Sequence, residues 1–188
     1  MKKIGILGGT FNPPHIGHLI IAEQVKDQLG LAEVWFIPTY ISPHKQKSSI
    51  TVDQRIKMLE KSIDNNNSFS INLIEVERKG TSYTIDTIKI LKDQFPNVEF
   101  YFIIGADMVE YLPQWKNIEE LAELVTFVGV RRSNYYLESP YPLKTADVPV
   151  IEISSTDIRS RIKNKKTIKY LVTDAVRKFI EENHLYED

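Results

Sequence analysis

The sequence predicts an α/β fold: a Rossmann-like, doubly wound and mainly parallel sheet flanked by helices. The first observation is that short β-type runs alternate with amphipathic helical segments along the chain. The second is that the most apolar run, residues 98–104, is continuous, which is typical of a strand buried on both faces. Ligands of such sheets bind at the carboxyl ends of strands, near the topological switch point. We therefore expect the chemistry in the loops after Leu7, Pro38, Ile104 and Ile153.

Hydrophobic spacing predicts each element in turn. Helices are recognised by apolar residues at helical spacing and by stop signals such as Gly30, and strands by short apolar or alternating runs. Residues 132–148 are rich in Tyr and Pro and are expected to be irregular, either as a substrate loop or as a surface connection. The predicted strands are 3–7, 33–38, 69–73, 98–104, 125–130 and 148–153, and the predicted helices are 16–29, 52–63, 84–95, 118–124, 156–163 and 174–182.

Composition limits the function classes. The 188 residues suit one domain, residues 1–188, and 42% of them are hydrophobic, as in an ordinary globular protein. A net charge of −1 argues against a general nucleic-acid binder. No run approaches the roughly 18 apolar residues of a membrane span. With no cysteine and no signal-peptide pattern, we expect a cytoplasmic protein.

The loop after the first strand carries the strongest chemical signal. Gly8 and Gly9 let backbone amides approach a ligand closely, and Thr10 and Phe11 follow them. His15 and His18 open the next helix, nearly one turn apart, so both imidazoles can face the same way. A helix N-terminus favours phosphate. Phosphate chemistry is favoured over the alternatives, a purely structural loop or a pair of zinc ligands.

A second signal lies near the other end of the chain. Ile153, Ser154, Ser155 and Thr156 bring three consecutive hydroxyls to the start of a predicted helix. Helix capping needs one of them, and the others suit an anion. Arg159 lies one turn further on and can reach the same anion.

These two segments resemble the signatures of the nucleotidylyltransferase superfamily. The sequence 15–18 matches its His-x-Gly-His motif after a matching glycine-rich lead-in, and 153–159 resembles its Ile-Ser-Ser-Thr-x-Ile-Arg motif. The resemblance implies that His15, His18 and Arg159 are catalytic. It also implies that the two motifs bind the triphosphate of ATP during in-line attack on the α-phosphorus, with no covalent intermediate.

Three middle segments and Trp115 bear on the acceptor substrate. His44 and Lys45 follow the second strand, in a segment that by itself is better explained as an exposed polar loop. Residues 79–87 form a hydroxyl-rich loop that opens a helix. Gly105 and Asp107 follow the buried strand; the aspartate can bind a ribose or cap its helix. Trp115 is either a core aromatic or a stacking surface for a heteroaromatic ring.

Across essentially the whole chain, these features resemble the bacterial nicotinate-nucleotide adenylyltransferase family. The resemblance implies transfer of AMP from ATP to nicotinate mononucleotide, with Mg²⁺ bound with ATP and no protein residue assigned as a metal ligand. It implies that Tyr83, Thr84 and Trp115 hold the nicotinate group and that His44 and Lys45 serve phosphates. It implies that Gly105 and Asp107 bind the adenosine part of ATP. The resemblance also implies that Arg132 belongs to the acceptor site, although Ser133 stands where the family usually has proline.

Several alternatives remain at this level. Phosphopantetheine adenylyltransferases have a similar first loop, and nicotinamide mononucleotide differs from the acid by one charged group. A non-catalytic nucleotide sensor is the alternative from another class. A homodimer is compatible with the family and with the tyrosines Tyr135, Tyr136 and Tyr141, which alternatively cover the core.

Overall fold

A computed structural model describes residues 1–41, 50–131, 137–149 and 151–187. These residues form six strands and eight α-helices. The strands are β1 (Lys2–Gly9), β2 (Glu33–Pro38), β3 (Phe69–Ile71), β4 (Val98–Gly105), β5 (Thr126–Arg131) and β6 (Leu143–Asp147). The helices are α1 (Ile16–Leu29), α2 (Val52–Ile63), α3 (Ile74–Arg78), α4 (Thr84–Gln94), α5 (Ala106–Tyr111), α6 (Ile118–Leu124), α7 (Ser155–Lys163) and α8 (Asp174–Glu182).

The six strands form one parallel sheet in the order β3-β2-β1-β4-β5-β6. The chain winds outward from β1 to β3 in one direction and from β4 to β6 in the other. The switch point therefore lies between β1 and β4, and it opens a crevice at their carboxyl ends. The Rossmann-like α/β prediction is confirmed.

Local sequence explains where α2 begins and where α1 ends. Thr51 and Gln54 form a reciprocal capping box at the start of α2, with Gln54 N 3.2 Å from Thr51 Oγ1 and Thr51 N 2.9 Å from Gln54 Oε1. Gly30 ends α1 in the left-handed region, at φ 61°. None of the helices in the described ranges is long and apolar enough to cross a membrane.

Two hydrophobic clusters cover the two faces of the sheet, because successive strand residues point to opposite sides. Ile4 and Ile6 belong to the cluster beneath α4 and α6. Leu7 and Phe11 belong to the cluster beneath α1 and α2. A third cluster joins α2, α7, α8 and the end of the chain, including Leu185 and Tyr186.

The last predicted strand, 148–153, is wrong. The sixth strand is Leu143–Asp147, inside the segment 132–148 that was expected to be irregular, and the described residues of 148–153 form no strand. β6 is an edge strand whose residues are mostly exposed, so it has little apolar signal. Pro149 has no N–H to donate to a sheet.

Two shorter elements also depart from expectation. The predicted strand 69–73 ends at Ile71, and the short helices α3 and α5 were not predicted. Tyr141 is half-buried against the core and contacts Glu119 through its hydroxyl at 3.3 Å. Tyr135 and Tyr136 lie outside the described residues.

Candidate active site

The loop after β1 is anchored by an aromatic ring. Phe11 adopts a left-handed backbone (φ 49°), and its ring is buried in the core. A Cβ on Gly9 would lie 3.1 Å from that ring, which explains the glycine. Gly8 is exposed at the strand end, whereas Thr10 is half-buried. Only the backbone of Phe11 can therefore face a ligand.

The two histidines of the first motif stack on each other at the start of α1. His15 is the N-cap, and its ring centroid lies 3.7 Å from that of His18, with 26° between the planes. Phe11 packs edge-on against His18 at 5.1 Å. The predicted common orientation of the two imidazoles is thus present.

Hydrogen bonding fixes the tautomer of His18. The backbone N–H of His15 donates to His18 Nδ1 at 3.1 Å. A ring nitrogen that accepts a hydrogen bond carries no proton, so the neutral ring holds its proton on Nε2. His18 is half-buried, and its Nε2–H is the group it can offer to an anionic oxygen.

Burial keeps His15 neutral. Its side chain lies almost wholly inside the protein, and desolvation lowers its pKa from 6.5 to about 4. Its Nδ1 is buried and has no hydrogen-bond partner in the part of the chain that is described. A neutral ring at 3.7 Å also avoids the repulsion of two stacked cations.

At the start of α1, the space beside Gly17 and the first backbone N–H of the helix are both already occupied by protein groups. The space beside Gly17 holds the ring of His15, since a Cβ on Gly17 would lie 3.0 Å from His15 Nδ1. The N–H of Ile16 donates to the Leu171 carbonyl at 2.9 Å. This helix end therefore offers an anion fewer free N–H groups and less space than an unobstructed helix N-terminus would.

The C-terminal motif is fastened to the first loop. Ser154 caps α7 by accepting from Asp157 N at 3.1 Å, whereas Ser155 Oγ donates to the Pro13 carbonyl at 2.9 Å. Arg159 Nη1 donates to the Asn12 carbonyl at 2.8 Å, and its Nη2 donates to Thr156 Oγ1 at 3.2 Å. Two motifs more than 130 residues apart thus form one site, while Ile153 packs against the third cluster.

Asp107 lies beside the crevice, at the end of β4. It is exposed in the first turn of α5. A Cβ on Gly105 would lie 2.6 Å from Asp107 Oδ1, so a larger residue there would displace the carboxylate from its present position. An exposed carboxylate at this edge of the sheet can reach a ligand in the crevice.

The candidate acceptor residues gather at the start of α4. Tyr83 is its N-cap and is exposed, and Thr84 is half-buried in the first turn. Lys116 Nζ lies 4.5 Å from the centre of the Tyr83 ring and 3.1 Å from Asp86 Oδ2. Trp115, next in the chain to Lys116, is thereby brought to the same side.

Trp115 is both a core residue and a surface at this site. Its ring packs edge-on against Phe102 at 5.8 Å and Phe127 at 6.2 Å, and it stays half-buried. Its Nε1 is buried and unpaired among the described residues. Core packing fixes the ring's position and leaves part of the side chain accessible.

A buried carboxylate ties this acceptor loop to β2. Thr87 Oγ1 donates to Glu75 Oε1 at 2.8 Å, and Ser82 Oγ accepts from Tyr40 N at 3.0 Å. Burial raises the pKa of Glu75, and the Thr87 and Ser82 hydroxyls partly offset that rise. The loop before α4 and the loop after β2 are therefore held together.

Three candidate residues lie outside the described ranges, namely His44, Lys45 and Arg132. Their expected phosphate and acceptor roles stay predictions. No group of three or more His, Cys, Asp or Glu side chains suited to a metal ion occurs in the described part of the chain.

Comparison with known proteins assigns the family. The cytidylyltransferase-like family model matches residues 6–161. Over 188 residues, covering both chains completely, the sequence is 54% identical to the nicotinate-nucleotide adenylyltransferase of Bacillus subtilis (strain 168). The chain belongs to the nicotinate-nucleotide adenylyltransferase family. It is therefore a nucleotidyltransferase.

Solved structures agree with this family at the level of the fold. The nicotinic acid mononucleotide adenylyltransferase of Plasmodium falciparum, complexed with APC, superposes with a TM-score of 0.83 at 21% identity, covering 100% of this chain and 98% of that one. The same enzyme complexed with NaAD gives 0.83 at 22% identity with the same coverage.

Arg55 is a buried residue beside the candidate site that sequence reasoning missed. It is buried in α2, where its Nη1 donates to the Thr10 carbonyl and its Nη2 to the Thr39 carbonyl, each at 2.7 Å. Burial lowers its pKa, opposed by the nearby Tyr186. Arg55 thus clamps the loops after β1 and β2. An arginine among polar residues on a helix gives no sequence signal of burial.

Proposed function

We propose that this chain transfers AMP from ATP to nicotinate mononucleotide, giving nicotinate adenine dinucleotide and pyrophosphate. The family and the 54% identity across the full chain support this reaction. The observation that carries it is the meeting of the stacked pair His15 and His18 with Arg159 at the switch point of the sheet.

ATP lies across the crevice between β1 and β4 in this proposal. Its triphosphate contacts the loop of Gly8, Gly9 and Thr10, the two histidines, and the start of α7. The backbone amides after Ser154 and the guanidinium of Arg159 suit the β- and γ-phosphates. Asp107 accepts from the ribose of the adenosine.

The chemical step is an in-line displacement at the α-phosphorus. An oxygen of the acceptor's phosphate forms a bond to this phosphorus, and the bond to the bridging oxygen of the β-phosphate breaks. Pyrophosphate leaves with that electron pair. His18 Nε2–H and the cation of Arg159 stabilise the charge that builds up on the phosphoryl oxygens, so no covalent enzyme intermediate is needed.

Mg²⁺ accompanies ATP in this proposal, as is general for nucleotidyltransferases. The cation would be bound together with the triphosphate, and no protein residue is proposed as its ligand. When bound, it neutralises charge on the phosphates.

The nicotinate group lies against Trp115 and the start of α4. A planar ring suits the accessible part of the indole, which Phe102 and Phe127 hold in place. The first amides of α4, at Thr84, have no carbonyl partner within the helix and suit a carboxylate. In this proposal His44 and Lys45 serve phosphates, and Arg132 belongs to the acceptor site.

The setting of this activity is also a proposal. Residues 1–188 act as a single domain, supported by the family match over 6–161 and by a relative of the same length. We place the enzyme in the cytoplasm, where its proposed substrate ATP is available.

A position-specific label tests the proposed reaction. Wild-type protein is incubated with Mg²⁺, nicotinate mononucleotide and ATP labelled at either the α- or the γ-phosphorus. The α-label should appear in a dinucleotide of the mass of nicotinate adenine dinucleotide, and the γ-label in pyrophosphate. Transfer of the γ-label to the acceptor would show a kinase, and no transfer of either label would leave only nucleotide binding.

A further inference from the structure

The end of the chain folds back onto the proposed ATP site. After α8, Leu185 and Tyr186 are buried in the third cluster, against residues of α7 and α8. His184 and Tyr186 both adopt left-handed backbones, at φ 49° and 67°. Left-handed backbones are uncommon for residues other than glycine. At His184 this conformation closes α8, since the N–H of Leu185 donates to the Ile180 carbonyl at 3.1 Å.

The phenol of Tyr186 reaches the first loop. Its hydroxyl donates to Asn12 Oδ1 at 2.6 Å, across 174 positions of sequence. Burial raises the pKa of this phenol well above its usual range, although Arg159 and Arg55 oppose the rise. The hydroxyl consequently remains a protonated donor at neutral pH.

Asn12 is the point at which several contacts converge. Its side chain accepts from Tyr186, and its carbonyl accepts from Arg159 at 2.8 Å. The next residue, Pro13, accepts from Ser155. Asn12 thus connects the tail, the loop after β1 and α7. It lies two positions after Thr10, whose carbonyl accepts a hydrogen bond from Arg55.

We propose that Tyr186 is a positioning residue for adenylyl transfer, setting Asn12 and with it the loop and Arg159 that receive the triphosphate. This inference rests on the proposed function for the identity of the ligand. A tail that only filled the core would require the ring of Tyr186 and not its hydroxyl.

Tyr186→Phe removes that hydroxyl and keeps the ring. Its matched control is Tyr170→Phe, at a tyrosine that is 79% exposed. We expect Tyr186→Phe to raise the KM for ATP about tenfold, the effect of one buried hydrogen bond. The KM for nicotinate mononucleotide should change less than about twofold, since the acceptor loop is held separately by Glu75. The control should match wild type in both constants.

Equilibrium binding separates this inference from the proposed function. With Mg²⁺ and a non-hydrolysable ATP analogue, Tyr186→Phe should raise the Kd about tenfold relative to Tyr170→Phe. If wild type proves inactive in the labelling experiment, the proposed reaction fails. The ratio of the Kd values of Tyr186→Phe and Tyr170→Phe for the ATP analogue still decides the role of Tyr186. Equal Kd values would overturn the inference, as would a parallel loss of affinity for both substrates.

A double-mutant cycle identifies the route through Asn12. Asn12→Ala removes the acceptor from the loop side, and it serves alone if Tyr186→Phe does not fold. The double variant should weaken ATP binding no more than the larger single change, because both remove the same contact. Additive losses would show that the hydroxyl does not act through Asn12.

Discussion

The burial of His15 predicts how stability changes with pH. The pKa of its imidazole is about 4 in the folded protein, against 6.5 for an ordinary solvated histidine. Between these values the unfolded chain binds a proton that the folded chain does not. The contribution of His15 is therefore fully present above the unfolded pKa and is lost as pH falls towards the folded one. From about pH 7 to about pH 5, the linkage relation gives a loss of about 2 kcal/mol.

Thermal unfolding at the two pH values measures this loss. For a chain of this size, 2 kcal/mol corresponds to about 4–8 °C in Tm. His15→Asn removes the titrating group. Between about pH 7 and about pH 5, the Tm of this variant should therefore fall by about 4–8 °C less than the Tm of wild type. His184→Asn is the matched control, because that imidazole is 78% exposed, and it should keep the wild-type fall. If His15→Asn and wild type lose the same Tm between the two pH values, desolvation of His15 is not the cause.

Three further substitutions test the assigned roles. His18→Ala should lower kcat about a hundredfold or more, because it removes a donor to the transferring phosphoryl group; a folded variant with near-normal kcat would exclude that role. Arg55→Met should lower the free energy of unfolding by about 3 kcal/mol, because two carbonyls lose a charged donor. In urea titrations Lys57→Met, at an exposed position of the same helix, should stay near wild type, and equal midpoints for both variants would contradict the clamp. Trp115→Ala should raise the KM for the acceptor about tenfold and that for ATP far less. Tyr111→Ala, at a 54% exposed aromatic, is its control, and an unchanged acceptor KM would make Trp115 purely structural.

Long periodic elements could be predicted from the sequence because their signals are local. The bounds of α1, α2, α6 and α8 are confirmed to the residue, with caps such as Thr51 and Gly30 marking the ends. The edge strand β6 could not be found this way, because its pairing with β5 depends on the backbone and its side chains are mostly exposed. The five-residue helix α3 is too short to establish a hydrophobic period.

The structure brings the two motifs that the sequence singled out to one crevice, while the catalytic and binding roles of their residues stay predictions. Their connections depend on tertiary contacts, such as Ser155 with Pro13, that no local pattern encodes. The same is true of Arg55 and of the hydroxyl of Tyr186, each of which is recognisable only by the distant carbonyl or amide it contacts.

The most direct test of the central claim is the acceptor preference of the wild-type enzyme. Pyrophosphate release is measured with ATP, Mg²⁺ and, in parallel, nicotinate mononucleotide, nicotinamide mononucleotide or phosphopantetheine. We expect the highest kcat/KM with nicotinate mononucleotide, through recognition of its carboxylate at the start of α4. A higher kcat/KM with either of the other acceptors would contradict the assignment of Tyr83, Thr84 and Trp115 to the nicotinate group.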